Sequence, residues 1–120
     1  MILCVVDDLI FSIKISTAAK ALGAEVSFER AADKVVPRIR EQKPSLVILD
    51  LNSAKLRPMD VIAAVKEDAG LSGVRTLGFV SHVNGDIIAE AREAGIDTVL
   101  ARSAFVDQLG EILSSAKTTI

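Results

Sequence analysis

The sequence predicts a doubly wound α/β domain, in which helices cover both faces of a five-stranded parallel sheet. Five short apolar runs alternate with stretches whose apolar residues recur at helical spacing, as in successive strand and helix units. Half of the residues are hydrophobic but only 3% are aromatic, so Val, Ile, Leu and Ala must build the core, as is usual in covered parallel sheets. A chain of 120 residues is long enough for such a core, and we expect one domain over residues 1–120.

The strands are predicted from apolar runs too short for helices. The central run has four consecutive apolar residues, follows Lys43-Pro44 and ends abruptly on Asp50, as expected for a strand buried on both faces. Cys4, the single cysteine, lies inside the first run, so we expect a small buried side chain without a disulfide. In order, the five runs are residues 2–6, 24–28, 46–49, 74–80 and 97–101.

Five helices are predicted after these strands. The second contains Pro37, which should bend it or confine its regular part. Residues 51–57 show no period and are predicted as a loop, after which Pro58 suits a first helical turn. The fourth helix opens at Asn84, and the last frays over residues 117–120. The residues that mark the helical stripes are Ile10, Ile13, Thr17, Ala18, Ala21 and Leu22; Ala32, Val35, Val36 and Ile39; Val61, Ile62, Val65 and Ala69; Ile87, Ile88, Ala91 and Ala94; and Phe105, Leu109, Ile112, Leu113 and Ala116.

Charge and hydropathy exclude two classes of partner. The formal charge is −2 and the pI is near 5.4, so the sequence lacks the basic footprint of a nucleic-acid-binding protein. The first apolar run reaches Asp7 and Asp8 after a handful of residues, too few for a signal peptide or a membrane span. We therefore expect a cytoplasmic protein with no nucleic-acid or membrane partner.

Polar residues follow four of the predicted strands. Right-handed crossovers place the carboxyl ends of all strands at one edge, which is where open α/β sheets bind ligands. That edge should carry Asp7, Asp8, Asp50, Ser81 and Arg102. For Asp50, a simpler reading as a helix N-cap or a solvated strand-end acid stays open.

Three carboxylates at one edge repel each other unless a cation lies among them. A hard divalent ion with oxygen ligands, Mg²⁺ above all, would meet that need. A nucleophilic aspartate beside such an ion, a hydroxyl and a cation would suit phosphoryl transfer. The alternative is a solvated acidic edge without an ion.

The sequence resembles the receiver domain of two-component response regulators, and the resemblance covers the whole chain. It implies a flavodoxin-like strand order of 2-1-3-4-5. The motifs that carry it are Val5-Val6-Asp7-Asp8, Val47-Ile48-Leu49-Asp50, a hydroxyl at Ser81 closing the fourth strand, and Gly95-Ile96-Asp97 before the fifth.

The resemblance also implies the roles of the edge residues. Asp50 would be the phosphoacceptor, and Asp7, Asp8 and Asp50 would bind Mg²⁺. The carbonyl of Asn52 would complete the metal site, and Ser81 would meet the phosphoryl group. A sensor histidine kinase or phosphotransfer protein and a downstream protein would be the partners.

Several positions depart from the pattern of the receiver family. Where receivers have a Lys-Pro pair the chain reads Ala101-Arg102-Ser103, so the role of the lysine falls to Arg102. We expect Arg102 to hold Asp50 in a persistent ion pair, because the guanidinium fork can grip a carboxylate in two places. This would slow phosphorylation. Val99 stands at the aromatic switch position, which should weaken switching.

The loops at this edge also differ from those of the family. Residues 52–57 replace the usual loop after the phosphoacceptor, and within them Lys55 and Arg57 are expected to form a solvated face. His82 occupies the place of a small residue. It could gate the site or contact a phosphoryl oxygen, or it could be an exposed loop histidine.

The leading function is thus a single-domain receiver in phosphorelay signalling, which is not an enzyme. The first alternative is a pseudo-receiver, a protein-interaction module independent of phosphorylation. A third possibility is a phosphatase-type enzyme with an Asp nucleophile, of the haloacid-dehalogenase type, but that class wants a second acid where Asn52 stands. No glycine pattern of a nucleotide-binding loop follows Val6. The resemblance places the contact face on the last two helices and the strand between them, with exposed Glu90, Arg92, Glu93, Asp107 and Gln108.

Overall fold

Five strands form one parallel sheet in the computed structural model of the protein, which describes residues 1–81 and 85–117, with only the backbone of Lys117. The strands are β1 (Ile2–Val5), β2 (Val26–Phe28), β3 (Leu46–Asp50), β4 (Arg75–Val80) and β5 (Thr98–Ala101). Their spatial order is β2-β1-β3-β4-β5, and every neighbouring pair is parallel. The predicted fold class and strand order are confirmed.

Six α-helices and two short 3₁₀ helices accompany the sheet within the described ranges. The α-helices are α1 (Leu9–Leu22), α2 (Ala32–Gln42), α3 (Pro58–Glu67), α4 (Gly85–Ala94), α5 (Arg102–Asp107) and α6 (Leu109–Lys117), and the 3₁₀ helices are Ala54–Leu56 and Ala69–Leu71. None of the helices in these ranges is long and apolar enough to cross a membrane. His82, Asn84 and residues 118–120, to which the sequence assigned roles, lie outside the described residues.

The sheet is buried on both faces by two separate apolar clusters. One face packs under α2, α3 and α4, and the other under α1, α5 and α6. The first cluster includes Leu3, Val5, Val47, Leu49, Val35, Ile39, Val61, Ile62, Val65 and Ala91. The second includes Ile2, Cys4, Ile48, Leu77, Phe79, Phe11, Ile15, Phe105, Leu109 and Leu113. Alternate residues of each central strand therefore serve opposite cores, as the period of two requires.

The first helix turns a different face to the core from the stripe that predicted it. Phe11, Ile15 and Ala19 are buried, whereas Ile10 is 78% and Ile13 57% exposed. Both stripes are apolar and share the helical period, so the spacing predicts the helix but does not select its face. Phe11 takes the buried side because it packs against Phe79 and Phe105.

The last predicted helix is two helices, which corrects the expected number from five to six. Gln108 separates α5 from α6 with φ −98° and ψ 4°, well off the α-helical ψ. Gly110 in the next turn has low helix propensity, and a Cβ atom there would lie 4.0 Å from Cδ1 of Leu22 on α1, an ordinary van der Waals contact.

Two further local predictions are corrected. The predicted loop 51–57 contains a 3₁₀ turn, because the side chain of Leu56 is fully buried and pins it to the core. The second helix continues through Pro37, so its regular part is not confined to one side of the proline, while the alternative of a bend at Pro37 stays a prediction. A proline removes one helical hydrogen bond but leaves the burial of Val35 and Ile39 intact.

Gly78 in β4 makes room for the residue that follows the central strand. A Cβ atom at Gly78 would lie 2.7 Å from Cγ and Cδ1 of Leu51, whose side chain is buried. The Leu51 N–H also donates to the carbonyl of Phe79 at 3.0 Å, which extends the ladder between β3 and β4. Gly78 thus leaves room for the turn that follows Asp50.

We expect Gly78→Ala to lower the free energy of unfolding by about 1–3 kcal/mol, because the added methyl forces Leu51 and its strand to move. Urea denaturation would measure the change. Gly73→Ala is the matched control, since a Cβ at Gly73 meets no atom within 4 Å. Equal effects of the two substitutions would show that the approach of Leu51 does not require a glycine at position 78.

Candidate functional site

The carboxyl ends of the central strands meet at one edge of the sheet, as predicted. The register pairs Val5 with Leu49, Asp50 with Phe79, and Val80 with Ala101. The polar residues at these strand ends are Asp7, Asp8, Asp50, Ser81 and Arg102, which we call the acid rim. The sequence therefore predicted its membership.

Asp50 ends the central strand β3 and is half-buried. Its Oδ1 accepts the backbone N–H of Asn52 at 3.0 Å, which fixes the carboxylate at the start of the turn. Burial raises the pKa of Asp50, and the nearby charges of Asp8 and Asp7 raise it further, while the Asn52 N–H and Arg102 oppose the rise. The charged form of Asp50 is thus disfavoured at this site.

Asp8 is held from two sides. Its Oδ1 accepts the N–H of Phe11 at 3.0 Å, so the side chain is the N-cap of α1. Its Oδ2 lies 3.3 Å from Nη2 of Arg102. The Phe11 N–H, and then Arg102, hold the pKa of Asp8 below its usual range. Both oxygens of this carboxylate are therefore engaged.

Arg102 is the first residue of α5, and its side chain joins three elements. Nη2 pairs with Asp8 before α1, and Nη1 donates to Oγ of Ser81 after β4 at 3.3 Å. The guanidinium carbon lies 4.2 Å from the centroid of the Phe11 ring, a cation–π contact. A lysine could not make this bridge, because its single ammonium has no planar fork to stack and span both groups.

The predicted ion pair of Arg102 with Asp50 is wrong, since the partner of Arg102 is Asp8. The reason is the stacking on Phe11, which brings the guanidinium to the start of α1, where the cap residue Asp8 already lies. Arg102 still lowers the pKa of Asp50 through its charge. It therefore acts on Asp50 from a distance and not through a direct clamp.

The ring of Phe11 under Arg102 belongs to a cluster of three phenylalanine rings, of which Phe79 and Phe105 are stacked and the other two pairs are tilted. The centroids of Phe79 and Phe105 are 4.9 Å apart with planes 22° from parallel, and those of Phe11 and Phe79 are 4.7 Å apart. Phe105 is fully buried and Phe79 is 1% exposed. Three of the four phenylalanines of the chain thus lie directly beneath the acid rim.

Asn52 ties the turn after β3 to the end of β4. Its side-chain Oδ1 accepts the N–H of Ser81 at 2.6 Å, and its backbone carbonyl accepts the N–H of Ala54 at 3.2 Å. The resemblance to receivers implied a role for the carbonyl alone, so the role of the amide side chain was missed. An amide side chain is not an acid, so Asn52 cannot supply the second carboxyl group that a haloacid-dehalogenase-type enzyme needs at this position.

Lys55 lies closer to the rim than the sequence suggested. Its Nζ is 3.8 Å from Oδ2 of Asp7, although the two side chains are 72% and 38% exposed. An exposed pair at this distance contributes little to stability. It nevertheless places a second positive charge among the acids. Leu56, the apolar residue next to Lys55, was the signal in the sequence that this loop folds inward, and its side chain is indeed buried.

The predicted Mg²⁺ ligands do not fit a divalent ion as they are arranged. Within residues 1–81 and 85–117, no three Asp, Glu, His or Cys side chains form a group that could hold a metal ion. Asp8 is engaged by Phe11 and Arg102, and Asp7 faces Lys55. The predicted metal set of Asp7, Asp8, Asp50 and the Asn52 carbonyl stays a prediction.

The predicted contact face on α4, β5 and the following helices also stays a prediction. All five side chains assigned to it are polar and exposed, namely Glu90, Arg92, Glu93, Asp107 and Gln108. The large apolar side chains found exposed in the described chain lie instead on α1: Leu9, Ile10, Ile13 and Leu22.

The fold is that of response regulator receiver domains. No protein-family model and no curated protein matches the sequence. A response regulator from Hahella chejuensis superposes with a TM-score of 0.86 at 19% sequence identity, covering 98% of this chain and 95% of the other. A receiver domain from Rhodospirillum rubrum gives a TM-score of 0.78 at 16% identity, with coverages of 99% and 95%.

A third similar structure is the Mn²⁺-bound form of the response regulator Rcp1. Its TM-score is 0.77 at 19% identity, and the match covers 99% of this chain and 95% of the other. At such identities the likeness shows the fold, and the chemistry must be argued from the residues of this chain.

Proposed function

We propose that residues 1–120 form a receiver module of phosphorelay signalling, with Asp50 as the phosphoacceptor. The observation that carries the proposal is the setting of Asp50. It is a half-buried carboxylate at the carboxyl end of the central strand of a receiver fold, with a hydroxyl and two cations at the same edge. A carboxylate with a raised pKa in such a position is a candidate nucleophile.

The residues of the chain suggest how the transfer would proceed. The Asn52 N–H holds Oδ1 of Asp50, and within the described residues no hydrogen bond reaches Oδ2. Oδ2 would attack the phosphorus of the donor, forming an O–P bond as the bond from phosphorus to the donor breaks. Phosphoryl transfer depends on positioning and on neutralising the phosphoryl oxygens. Arg102 and Lys55 would supply positive charge, and the Ser81 hydroxyl would supply a hydrogen bond.

The donor would be a sensor histidine kinase or a phosphotransfer protein, and a downstream protein would read the result. These partners follow from the receiver fold and not from a contact in the structure. The module would be a signalling protein and not an enzyme. The resemblance also assigns Mg²⁺ to this site. Because the rim side chains do not fit the ion as arranged, the transfer proposed for Asp50 rests on the side chains of the chain alone.

The test is incubation of the protein with a small phosphodonor such as phosphoramidate, with and without Mg²⁺, followed by intact mass measurement. We expect a gain of one phosphoryl group, located by peptide mapping to the peptide that contains Asp50. No gain under either condition, or a gain at another residue, would reject the proposal and favour a phosphorylation-independent interaction module.

A further inference from the structure

Arg102 occupies the position at the acid rim where a divalent cation would need Asp8. Oδ1 of Asp8 caps α1 through the Phe11 N–H, so Oδ2 is the oxygen that a metal ion would take. That oxygen is the one that Arg102 holds at 3.3 Å. A cation that binds Oδ2 of Asp8 therefore competes directly with the positive guanidinium, and one that binds Oδ1 competes with the helix cap.

The guanidinium is fixed by more than this ion pair. It also stacks on the ring of Phe11 at 4.2 Å and donates to Ser81 at 3.3 Å. Phe11 is 3% exposed and packs on Phe79, so the ring beneath the guanidinium is held in the core. These contacts together orient the fork toward Asp8, and moving the guanidinium loses all of them at once.

The low net charge of the acid rim also disfavours binding of a divalent cation. The three carboxylates of the rim face the two cations Arg102 and Lys55, which leaves one net negative charge. Oxygen sites bind Mg²⁺ and related ions through the number and charge of their ligands, so this neutralisation weakens the attraction for a second cation.

We infer that Arg102 is a built-in counter-ion of the acid rim, which keeps divalent cations from Asp8 until the guanidinium is removed. The wild-type protein should then bind divalent ions weakly, and a variant without the guanidinium should gain a site. The inference is drawn from the contacts of Arg102 and not from phosphorylation of Asp50, so either can fail without the other.

The experiment measures binding of Mn²⁺ alone, by the loss of the free-ion electron paramagnetic resonance signal, to wild type and to Arg102→Gln. Mn²⁺ is the probe because it favours the same oxygen ligands as Mg²⁺. We expect the variant to bind Mn²⁺ at least about tenfold more tightly than wild type. Diamagnetic Mg²⁺ should shift the amide resonance of Phe11, which reports on Asp8, in the variant and not in wild type at the same concentration.

Three further variants make the result specific. Arg57→Gln removes the same charge from the exposed loop residue Arg57 without touching Asp8, and should leave Mn²⁺ binding near the wild-type value. Asp8→Asn combined with Arg102→Gln should abolish the gain, because asparagine still caps the helix but is a poor ligand. Arg102→Lys keeps the charge but loses the fork, and should show an intermediate gain. It also serves if Arg102→Gln does not fold.

Equal Mn²⁺ affinity of wild type and both Arg102 variants would overturn the inference. So would an equal gain in Arg57→Gln, since the effect would then come from net charge and not from release of Asp8. If Arg102→Gln gains the metal but neither protein takes up a phosphoryl group, the inference stands and the proposed function fails.

Discussion

Asp50→Asn is expected to take up no phosphoryl group from a small phosphodonor, while wild type gains one. The amide has no anionic oxygen to attack phosphorus, so the substitution removes the nucleophile. The hydrogen bond from the Asn52 N–H survives, because the asparagine side chain keeps an oxygen in the Oδ1 position. Uptake by the variant equal to that of wild type would place the acceptor at another residue.

The same substitution is expected to stabilise the fold at neutral pH. Burial and the acids Asp8 and Asp7 raise the pKa of Asp50, so its ionised form costs more in the folded than in the unfolded chain. This cost is present above the raised folded pKa, where Asp50 is charged in both states. It shrinks as the pH falls through that value toward the ordinary pKa of an aspartate, and is absent below it.

Urea denaturation of wild type and Asp50→Asn at about pH 7 and about pH 4 would measure this dependence. The midpoint of the variant should exceed that of wild type at the higher pH, and the difference should narrow at the lower pH. Asp107→Asn is the control, since Asp107 is an exposed aspartate on α5. A difference that widens on acidification would show instead that the charged form of Asp50 stabilises the fold.

Phe105→Ala is expected to lower the free energy of unfolding by about 3–5 kcal/mol. Phe105 is fully buried and stacks on Phe79 with a centroid separation of 4.9 Å, so its removal opens a cavity between α5 and the sheet. Because a domain of this size has a total stability of about 5–15 kcal/mol, the loss would be a large part of it.

Chemical denaturation would measure the loss, and Phe28→Ala is the matched control. Phe28 lies on the edge strand β2, is only partly buried, and contacts Arg30 at the surface. Phe28→Ala should lower the free energy of unfolding by clearly less than Phe105→Ala does. If the two variants lose the same stability, the aromatic cluster has no special part in holding α5 and Arg102 in place.

The fold could be predicted from the sequence because each strand is a short apolar run and each helix a periodic stripe. For Leu46 to Leu49 the burial is complete except for the 8% exposure of Leu46, as the run predicted. Spacing alone does not fix which strands are neighbours, so the strand order was predicted from the resemblance to receivers. The face of α1 could not be chosen, because Ile10 and Ile13 follow the same period as Phe11 and Ile15.

The members of the acid rim could be predicted, but their pairing could not. Strand ends tell which residues share an edge, whereas the partner of Arg102 depends on the direction of a long side chain. Here the ring of Phe11, in the first turn of α1, decides that direction through stacking. The position of Lys55 likewise depends on the 3₁₀ turn that Leu56 anchors, and a three-residue turn has no period to read.

The reactivity of the Cys4 thiol reports on opening of the central sheet. It lies in β1, between two other strands, and burial raises the pKa of its thiol to about 12. The thiolate is the reactive form, so alkylating reagents at neutral pH find almost none in the folded chain. Modification of Cys4 requires the central sheet to open, and its rate therefore follows global unfolding. Because it is the single cysteine, a probe attached to a cysteine introduced on the surface would label one site without removal of the native thiol.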